Sequence, residues 1–464
     1  LSDRLANAGQ LPMFGFPTKT RFLYERKPDK LPPENGIDRN QDIALSEFAP
    51  GSEVVKDKKV LLSVGLVHYK PKGHSVEEVD GRGVIENGIS RCLQCGTVFM
   101  GLRSDDTCSI CGAIPQKLNA CSPLGFCVEY GIERDFDGSF EWSPKAGDVT
   151  LDPNSKLVNE RPLENIIIKS NQVPSEGIVH QINDNNGQLF RLGRIPGYGN
   201  NRWLVGSLLE ESIRLIDEDD YALVASRHTG VITLSITNYN NELFLNPHDA
   251  YQQAIFLSWA FLIRKSICDQ LDIETNEFDV GYRIAPDKIT PEIYIVERAE
   301  NGAGYCNYLN GVEYLDVSRK VFIDSLLSGG RVYKEILMKG SHEKLCASSC
   351  YDCLRDYYNQ KHHSLLNWRL ALDLASLASD SSVSLNFTQE YWRDYITNRL
   401  LVTLENKLGG RSSVKNDNLF ITTKDDVYLL THPFWSEQKI SSIETNNNVT
   451  KRLNIMEAIT KTKF

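Results

Sequence analysis

Two pairs of cysteines, each a Cys-x-x-Cys turn followed by glycine, constrain this chain more than any other feature. Residues 91–112 carry Cys92-Leu-Gln-Cys95-Gly96 and Cys108-Ser-Ile-Cys111-Gly112, with twelve residues between the pairs. Such a turn sets two sulfurs on one edge of a tetrahedron, and a second turn supplies the opposite edge. Four thiolates at about 2.3 Å are what a structural zinc ion takes. A glycine after each pair is free to adopt positive φ, which lets backbone N–H groups point at the sulfurs. The intervening residues suit a short hairpin, with Val98-Phe99-Met100 as one strand. A redox dithiol would open a helix of a thioredoxin-like unit, and none is visible. Iron–sulfur ligation also takes four cysteines, but the doubled knuckle is more typical of zinc. We therefore expect a zinc ribbon held by Cys92, Cys95, Cys108 and Cys111, a closed site that stabilises a fold and does no chemistry. Cys121 and Cys127 fit no tetrahedral pairing with it and are expected as ordinary small residues.

A second cluster follows at Cys346-x3-Cys350-x2-Cys353, one ligand short of a closed site. The fourth is expected to be an imidazole: His363 first, then His362 or His342. Three thiolates plus water, an open site, is the less favoured alternative, and three buried free cysteines is the plain one. Seven of the eleven cysteines thus fall into two tight groups. In a chain of cytosolic character that argues for metal, two zinc ions, over disulfides.

The bulk properties bound the rest. A chain of 464 residues is too long for one ordinary core, so two to four domains are expected. The longest apolar stretch, Ala254 to Ile263, is far too short to span a bilayer, and Leu1-Ser-Asp-Arg-Leu5 does not read as a signal peptide, so we expect a cytoplasmic protein with no membrane partner. A start at Leu rather than Met is expected of a processed, trimmed or fragment end. The net charge of −10 argues against coating nucleic acid by bulk electrostatics. Any DNA contact would use a local strip such as Lys56, Lys58 and Lys59, or Lys451, Arg452, Lys461 and Lys463, and the plain reading of both is a solvated face.

Around the second cluster lie a helix apolar nearly all round (Ala254 to Arg264), a strand-like Ile293-Tyr-Ile-Val-Glu297, and a glycine-rich Asn301-Gly-Ala-Gly-Tyr305. The last is read as a tight strand-to-helix turn, because it lacks the Lys-Ser/Thr of a phosphate loop. Taken together, the segment from about Ala254 to Ala371 resembles the zinc-binding domain at the C-terminus of MrfA-type helicases, found also in DrmB, a subunit of the DISARM antiphage system. The resemblance rests on Gly302-Ala-Gly-Tyr305, Cys346-x3-Cys350-Tyr-Asp-Cys353-Leu-Arg355, Asn359-Gln360 with His363, and Leu366-Asn-Trp-Arg369. Asn301 stands where the family usually has Gly, and Asn367 where it has an acidic residue. Leu5 to Arg21 and Ser46 to Val55 are similar to segments that follow the second RecA-like lobe of large superfamily 2 helicases, and Pro123-Leu-Gly-Phe126 after the ribbon also resembles that group.

No GxxxxGK[ST] occurs, and Ile216-Asp-Glu-Asp-Asp220, an expected solvated turn, has acidity without a partner phosphate loop. The chain is therefore not expected to be an ATPase or other enzyme by itself. Near the C-terminus, Phe387 to Val402 suits an amphipathic helix and Leu419 to His432 a β-hairpin. Asp426 with Glu437-x-Lys439 resembles the D…ExK set of metal nucleases, although a His-Pro loop separates the two parts; His432 is expected as a loop histidine.

The expectation is a mixed α/β (α+β) multidomain chain: a β-rich region over 1–80, a zinc ribbon over 81–120, an α/β zinc-binding domain over 121–380 and a small α/β appendage over 381–464. The resemblance implies a non-catalytic DNA-recognition or scaffold region of a superfamily 2 helicase or translocase in bacterial antiphage defence. Its partners would be the motor, on the same polypeptide or a separate subunit, and single-stranded or junction DNA. The alternatives are a DrmB-like scaffold that never touches DNA, and a metal-dependent nuclease using the C-terminal residues.

Overall fold

Val60-Leu-Leu-Ser-Val-Gly-Leu66 is apolar without alternation, as expected for a strand covered on both faces. In the computed structural model it lies inside the strand Lys59–Leu66. Leu61 and Leu66 join a cluster with Leu23, Phe48 and Phe126. Val64 joins another with Tyr24, Val67 and Tyr69. The structure describes residues 19–34, 36–101, 107–139, 147, 149–197 and 201–462; of the residues singled out above, 1–18 and Lys463 lie outside these.

The chain divides into two compact units, the first comprising Leu1–Ser155, Gly177–Thr229 and Ala299–Asn301, the second Lys156–Glu176, Gly230–Arg298 and Gly302–Phe464. Residues 81–120 fall in the first unit and 381–464 in the second, while 121–380 is shared between them. The fold is mixed α/β and multidomain.

In the first unit an eleven-stranded sheet carries Lys59–Leu66 between Trp203–Val205 and Phe126–Asp135. Its longest described strand, Ile216–His228, is exposed over 216–220 and buried over 221–225. The acidic run expected as a turn is therefore the solvated start of a strand. Cross-strand pairing with Phe190–Arg194 holds it there, and Arg191 and Arg194 neutralise Glu218 and Asp217. A three-stranded sheet, Val98–Met100, Ile89–Arg91 and Gln116–Leu118, belongs to the ribbon.

The second unit is built on a five-stranded antiparallel sheet, in the order Asn159–Leu163, Ile166–Ser170, Val231–Ile236, Pro291–Glu297, Phe278–Ile284. The helix Ala250–Leu271 packs on the last two strands and on the helix Trp368–Ser379. Asp249 caps its N-terminus by accepting from the Gln252 N–H, and Asp272 ends it at φ +54°. Phe256, Trp259, Leu262 and Ile263 are fully buried in the unit's core, which explains the nearly all-round apolar pattern. The segment expected as one amphipathic helix runs as Glu390–Tyr395, a π-turn Ile396–Leu400 and Leu401–Leu408. The expected hairpin is present as Asn418–Thr422 and Val427–Thr431 within a four-stranded sheet. No helix among the described residues is long and apolar enough to cross a membrane.

Candidate metal centres

The ribbon places its first knuckle at the turn between Ile89–Arg91 and Val98–Met100, and Gln116–Leu118 pairs with the other edge of Ile89–Arg91. Cys92 N–H donates to the Thr97 carbonyl at 2.9 Å and Gly96 N–H to the Cys92 carbonyl at 2.9 Å. The second knuckle repeats the pattern, Cys108 N–H to Ala113 at 2.6 Å and Gly112 N–H to Cys108 at 2.9 Å. Gly96 and Gly112 take φ +72° and +79°, the left-handed turn that side-chain-bearing residues resist.

The four sulfurs lie within 4.8 Å of one another. Cys92 and Cys111 are 3.3 Å apart and Cys95 and Cys108 3.7 Å, against about 3.8 Å for the edge of a tetrahedron with 2.3 Å bonds. Burial pushes the Cys95 thiol well up and the Cys111 thiol up to about 11. Burial acts on Cys92 in the same direction, but the Cys95 N–H and the Cys111 thiol outweigh it and pull that thiol below its ordinary value. Sulfurs packed this closely ionise together only if a cation offsets their charge, so the group could hold a metal ion. Cys121 and Cys127 are buried away from the cluster, with burial raising both thiols.

At the second cluster the structure brings together Cys346, Cys350 and Cys353 with His342, again within 4.8 Å. Cys353 lies 4.0 Å from Cys346 and 3.8 Å from Cys350, sulfur to sulfur, and the Cys350 N–H donates to the Cys353 sulfur at 3.2 Å. The short helix His342–Leu345 sets His342 one turn ahead of Cys346, whose N–H donates to the His342 carbonyl at 2.8 Å. His342 Nδ1 is 2.8 Å from the Leu337 carbonyl oxygen, which assigns the proton to Nδ1. Its Nε2 is buried with no hydrogen-bond partner. A histidine whose second nitrogen is fixed by a carbonyl, with the first left bare beside thiols, is arranged as metal-ligating histidines are.

His363, the expected fourth ligand, is not in this group. Its Nε2 faces the Asn359 amide oxygen at 2.9 Å and the Asp356 carbonyl at 3.1 Å, and its ring meets Tyr351 edge-on. Asp356 and Asn359 form the capping box of the turn Tyr357–His362, so His363 is held by the loop's own polar groups. His362 packs against Phe261 instead.

The string Leu366-Asn-Trp-Arg369 supports the second cluster from behind. Asn367 caps the helix Trp368–Ser379, its side chain accepting from the Arg369 and Leu370 N–H groups. Asn and Asp serve equally as caps, which accounts for the missing acidic residue. Trp368 Nε1 donates to the Cys346 carbonyl at 3.3 Å, and its ring lies 5.3 Å from that of His342.

The glycine-rich turn is occupied by the chain itself. The Glu297 carboxylate, 1% exposed, accepts from the Ala303 N–H, from Gly304 N–H at 2.9 Å and from Cys306 N–H at 2.7 Å. A Cβ on Gly230 would sit 2.4 Å from Glu297 Oε1, so a side chain there would displace the carboxylate that these N–H groups hold.

The nuclease set does not assemble. Asp426 pairs with Lys451, Glu437 with Arg452, and Lys439 with Glu242. Lys451 and Arg452 are consecutive on the strand Lys451–Asn454 and so point to opposite faces, carrying the two carboxylates apart. His432 follows a strand as expected, yet it is buried, with Nε2 3.1 Å from Asp373, which also accepts from the Tyr391 hydroxyl and Trp392 Nε1. Of the basic strips, Lys56 and Lys59 are paired with Glu25 and Glu133, and Arg452 also with Glu444.

Sequence reading missed a line of polar residues that runs across the strands Ile178–Asn183 and Ile216–His228 to Asp152, just past the strand Val149–Leu151. His180 Nε2 is 2.7 Å from Asp152 and Nδ1 2.8 Å from the Ser226 hydroxyl, because Ser226 is its register partner. Although burial works against it, the His180 contact and the Asn154 N–H hold the Asp152 carboxyl below its ordinary range. A hydrolase triad has serine on Nε2 and carboxylate on Nδ1, the reverse of this. With His180 sealed in the sheet, the line is a cross-strand tie.

Fold and sites together define a mixed α/β, multidomain chain with two four-ligand cysteine and histidine clusters, each able to hold a metal ion. No model of a known protein family matches it. It is 22% identical over 418 residues to Druantia protein DruE of Escherichia coli (strain UMEA 4076-1), an alignment taking in 80% of this chain and 21% of that protein. The chain therefore spans about a fifth of the length of that curated relative. Among solved structures it overlaps the DUF1998 helicase MrfA bound to DNA with a TM-score of 0.34 and 9% identity, over 77% of this chain and 34% of that one. The same helicase bound to DNA and AMPPNP gives 0.23 and 10%, over 67% and 35%. Overlaps of this extent do not define a shared fold.

Proposed function

We propose that the chain is a zinc-stapled, non-catalytic recognition or scaffold region that works with a superfamily 2 DNA helicase or translocase in bacterial antiphage defence. The observation that carries this reading is the second cluster: three thiols and an imidazole with a bare, buried Nε2, inside the segment that resembles the zinc-binding domain of MrfA-type helicases. The likeness to a Druantia protein, and the resemblance to DrmB, support the defence setting. Zinc is the ion proposed for both sites, because a set of four thiolates, or of three thiolates and an imidazole, suits its tetrahedral, soft-ligand preference and leaves no open position for chemistry. ATP hydrolysis would belong to the motor, as part of a longer polypeptide or as a partner subunit.

Elemental analysis of the purified chain tests the metal part and should find two zincs per chain. Retention of single-stranded or forked DNA that falls as salt rises tests the recognition part. A second reading, a scaffold that docks the motor without touching DNA, is favoured by the pairing of Lys56, Lys59, Lys451 and Arg452 with carboxylates. It predicts co-purification with a helicase and no DNA retention at any salt.

A further inference from the structure

Arg369 is fully buried, and among the described residues no carboxylate forms an ion pair with it. Its donors go to backbone carbonyls: Nε to Tyr391 at 2.7 Å, Nη1 to Cys346 at 2.9 Å and Ala347 at 3.3 Å, and Nη2 to Glu343 at 2.6 Å. Its guanidinium stacks 4.2 Å from the Trp368 ring and 4.4 Å from Tyr395. A guanidinium stays charged at neutral pH, and the Glu343 carboxylate acts on it through space only, with no ion pair. A buried cation with no carboxylate in contact is costly, since carbonyl dipoles and ring faces offset only part of its lost hydration.

Further negative charge would come from the other side of the carbonyls it grips. Three of its four hydrogen bonds go to Glu343, Cys346 and Ala347, the backbone that carries His342 and Cys346. A divalent ion bound by three thiolates and a neutral imidazole leaves a net charge of −1 on that site.

We propose that Arg369 is the counter-ion and positioning residue of the second metal centre. Its charge offsets that of the metal–ligand set, and its planar fork fixes the backbone from which two of the four ligands project. This rests on the reading that the second cluster binds zinc. It ties metal loading to the second unit's core, because the same guanidinium also holds the Tyr391 carbonyl. A lysine, a point charge with no fork, would keep the first role and lose most of the second.

The test is zinc transfer from the full chain to a chromogenic chelator, with the second-site phase assigned as the one that Cys350→Ser abolishes. Wild type must first show a phase that Cys350→Ser removes; if it shows none, the second cluster binds no zinc and the inference fails with that reading. Losing a residue that orients metal ligands usually costs about 10- to 100-fold in affinity, so Arg369→Gln should release the second zinc faster by about that factor, with the ribbon phase unchanged. Arg369→Lys should fall between. A role confined to packing would lower the melting temperature but leave the transfer rate of the folded protein at the wild-type value, and that result overturns the proposal. Equal acceleration in Lys and Gln variants overturns the counter-ion role. If Arg369→Gln does not fold, Arg369→Lys decides: a several-fold faster second phase supports the fork, and a wild-type rate refutes it.

Discussion

Replacing His342 with alanine separates two ligand sets that differ in one histidine. Structural zinc binding in small sites is worth about 10–16 kcal/mol, and an even share over four ligands is roughly 2.5–4 kcal/mol each. At about 1.4 kcal/mol per decade, His342→Ala should weaken the second site about a hundred- to a thousand-fold. His363→Ala removes the contacts of Nε2 with Asn359 and the Asp356 carbonyl, only one of which a neutral ring can make strongly at a time. That loss is about 1 kcal/mol of stability with no change in metal affinity. The assay is zinc per chain after dialysis against graded chelator, alongside urea unfolding. The expected pattern is one zinc retained by His342→Ala and two by His363→Ala. A chain that keeps both ions without His342 and drops one without His363 would refute the assignment made from the bare Nε2 and the Leu337 carbonyl.

Other perturbations follow from the same geometry. Cys108→Ser should remove the ribbon zinc and raise amide exchange in Ile89–Arg91 and Gln116–Leu118, while the second site keeps its ion. Zinc should be lost as pH falls, because thiols that burial has raised, Cys111 to about 11, must release protons to bind and retake them in acid; equilibrium dialysis across pH checks the sign. Glu297→Gln puts an amide NH2 against backbone N–H groups that now donate to a carboxylate, and should cost about 2–4 kcal/mol by denaturant titration. Asp373→Ala leaves the buried donors of Tyr391 and Trp392 without their acceptor, beside His432, and should cost about 3–5 kcal/mol in the same assay.

The ribbon was legible because every part of it is local. Two knuckles with glycine at the next position describe their own hydrogen bonds, and Val98–Met100 emerged as a strand from three residues. At the second site the three cysteines could be grouped by spacing, but His342 and His363 flank them with similar claims. What separates them in the structure is a one-turn helix that brings His342 beside Cys346, and a capping box that engages His363. The H-x3-C spacing, one helical turn, was the usable clue. Arg369 and Glu297 were readable only as motif letters, since their roles depend on carbonyls and N–H groups that folding brings to them. The Asp152–His180–Ser226 line had no trace in the sequence, because it comes from strand register over 74 positions.

The five-stranded sheet begins with a hairpin, Asn159–Leu163 and Ile166–Ser170, laid down before the last strands of the first unit have been synthesised. The two halves are thus braided along the polypeptide and do not follow one another as beads. A fragment begun at residue 230 would lack that hairpin and bare the edge of Val231–Ile236, a strand buried at all six positions. Such a piece would carry an open, greasy edge prone to sticking to its neighbours. Anyone wishing to isolate the half that holds His342 and its three cysteines must therefore keep residues 156–176 attached to it.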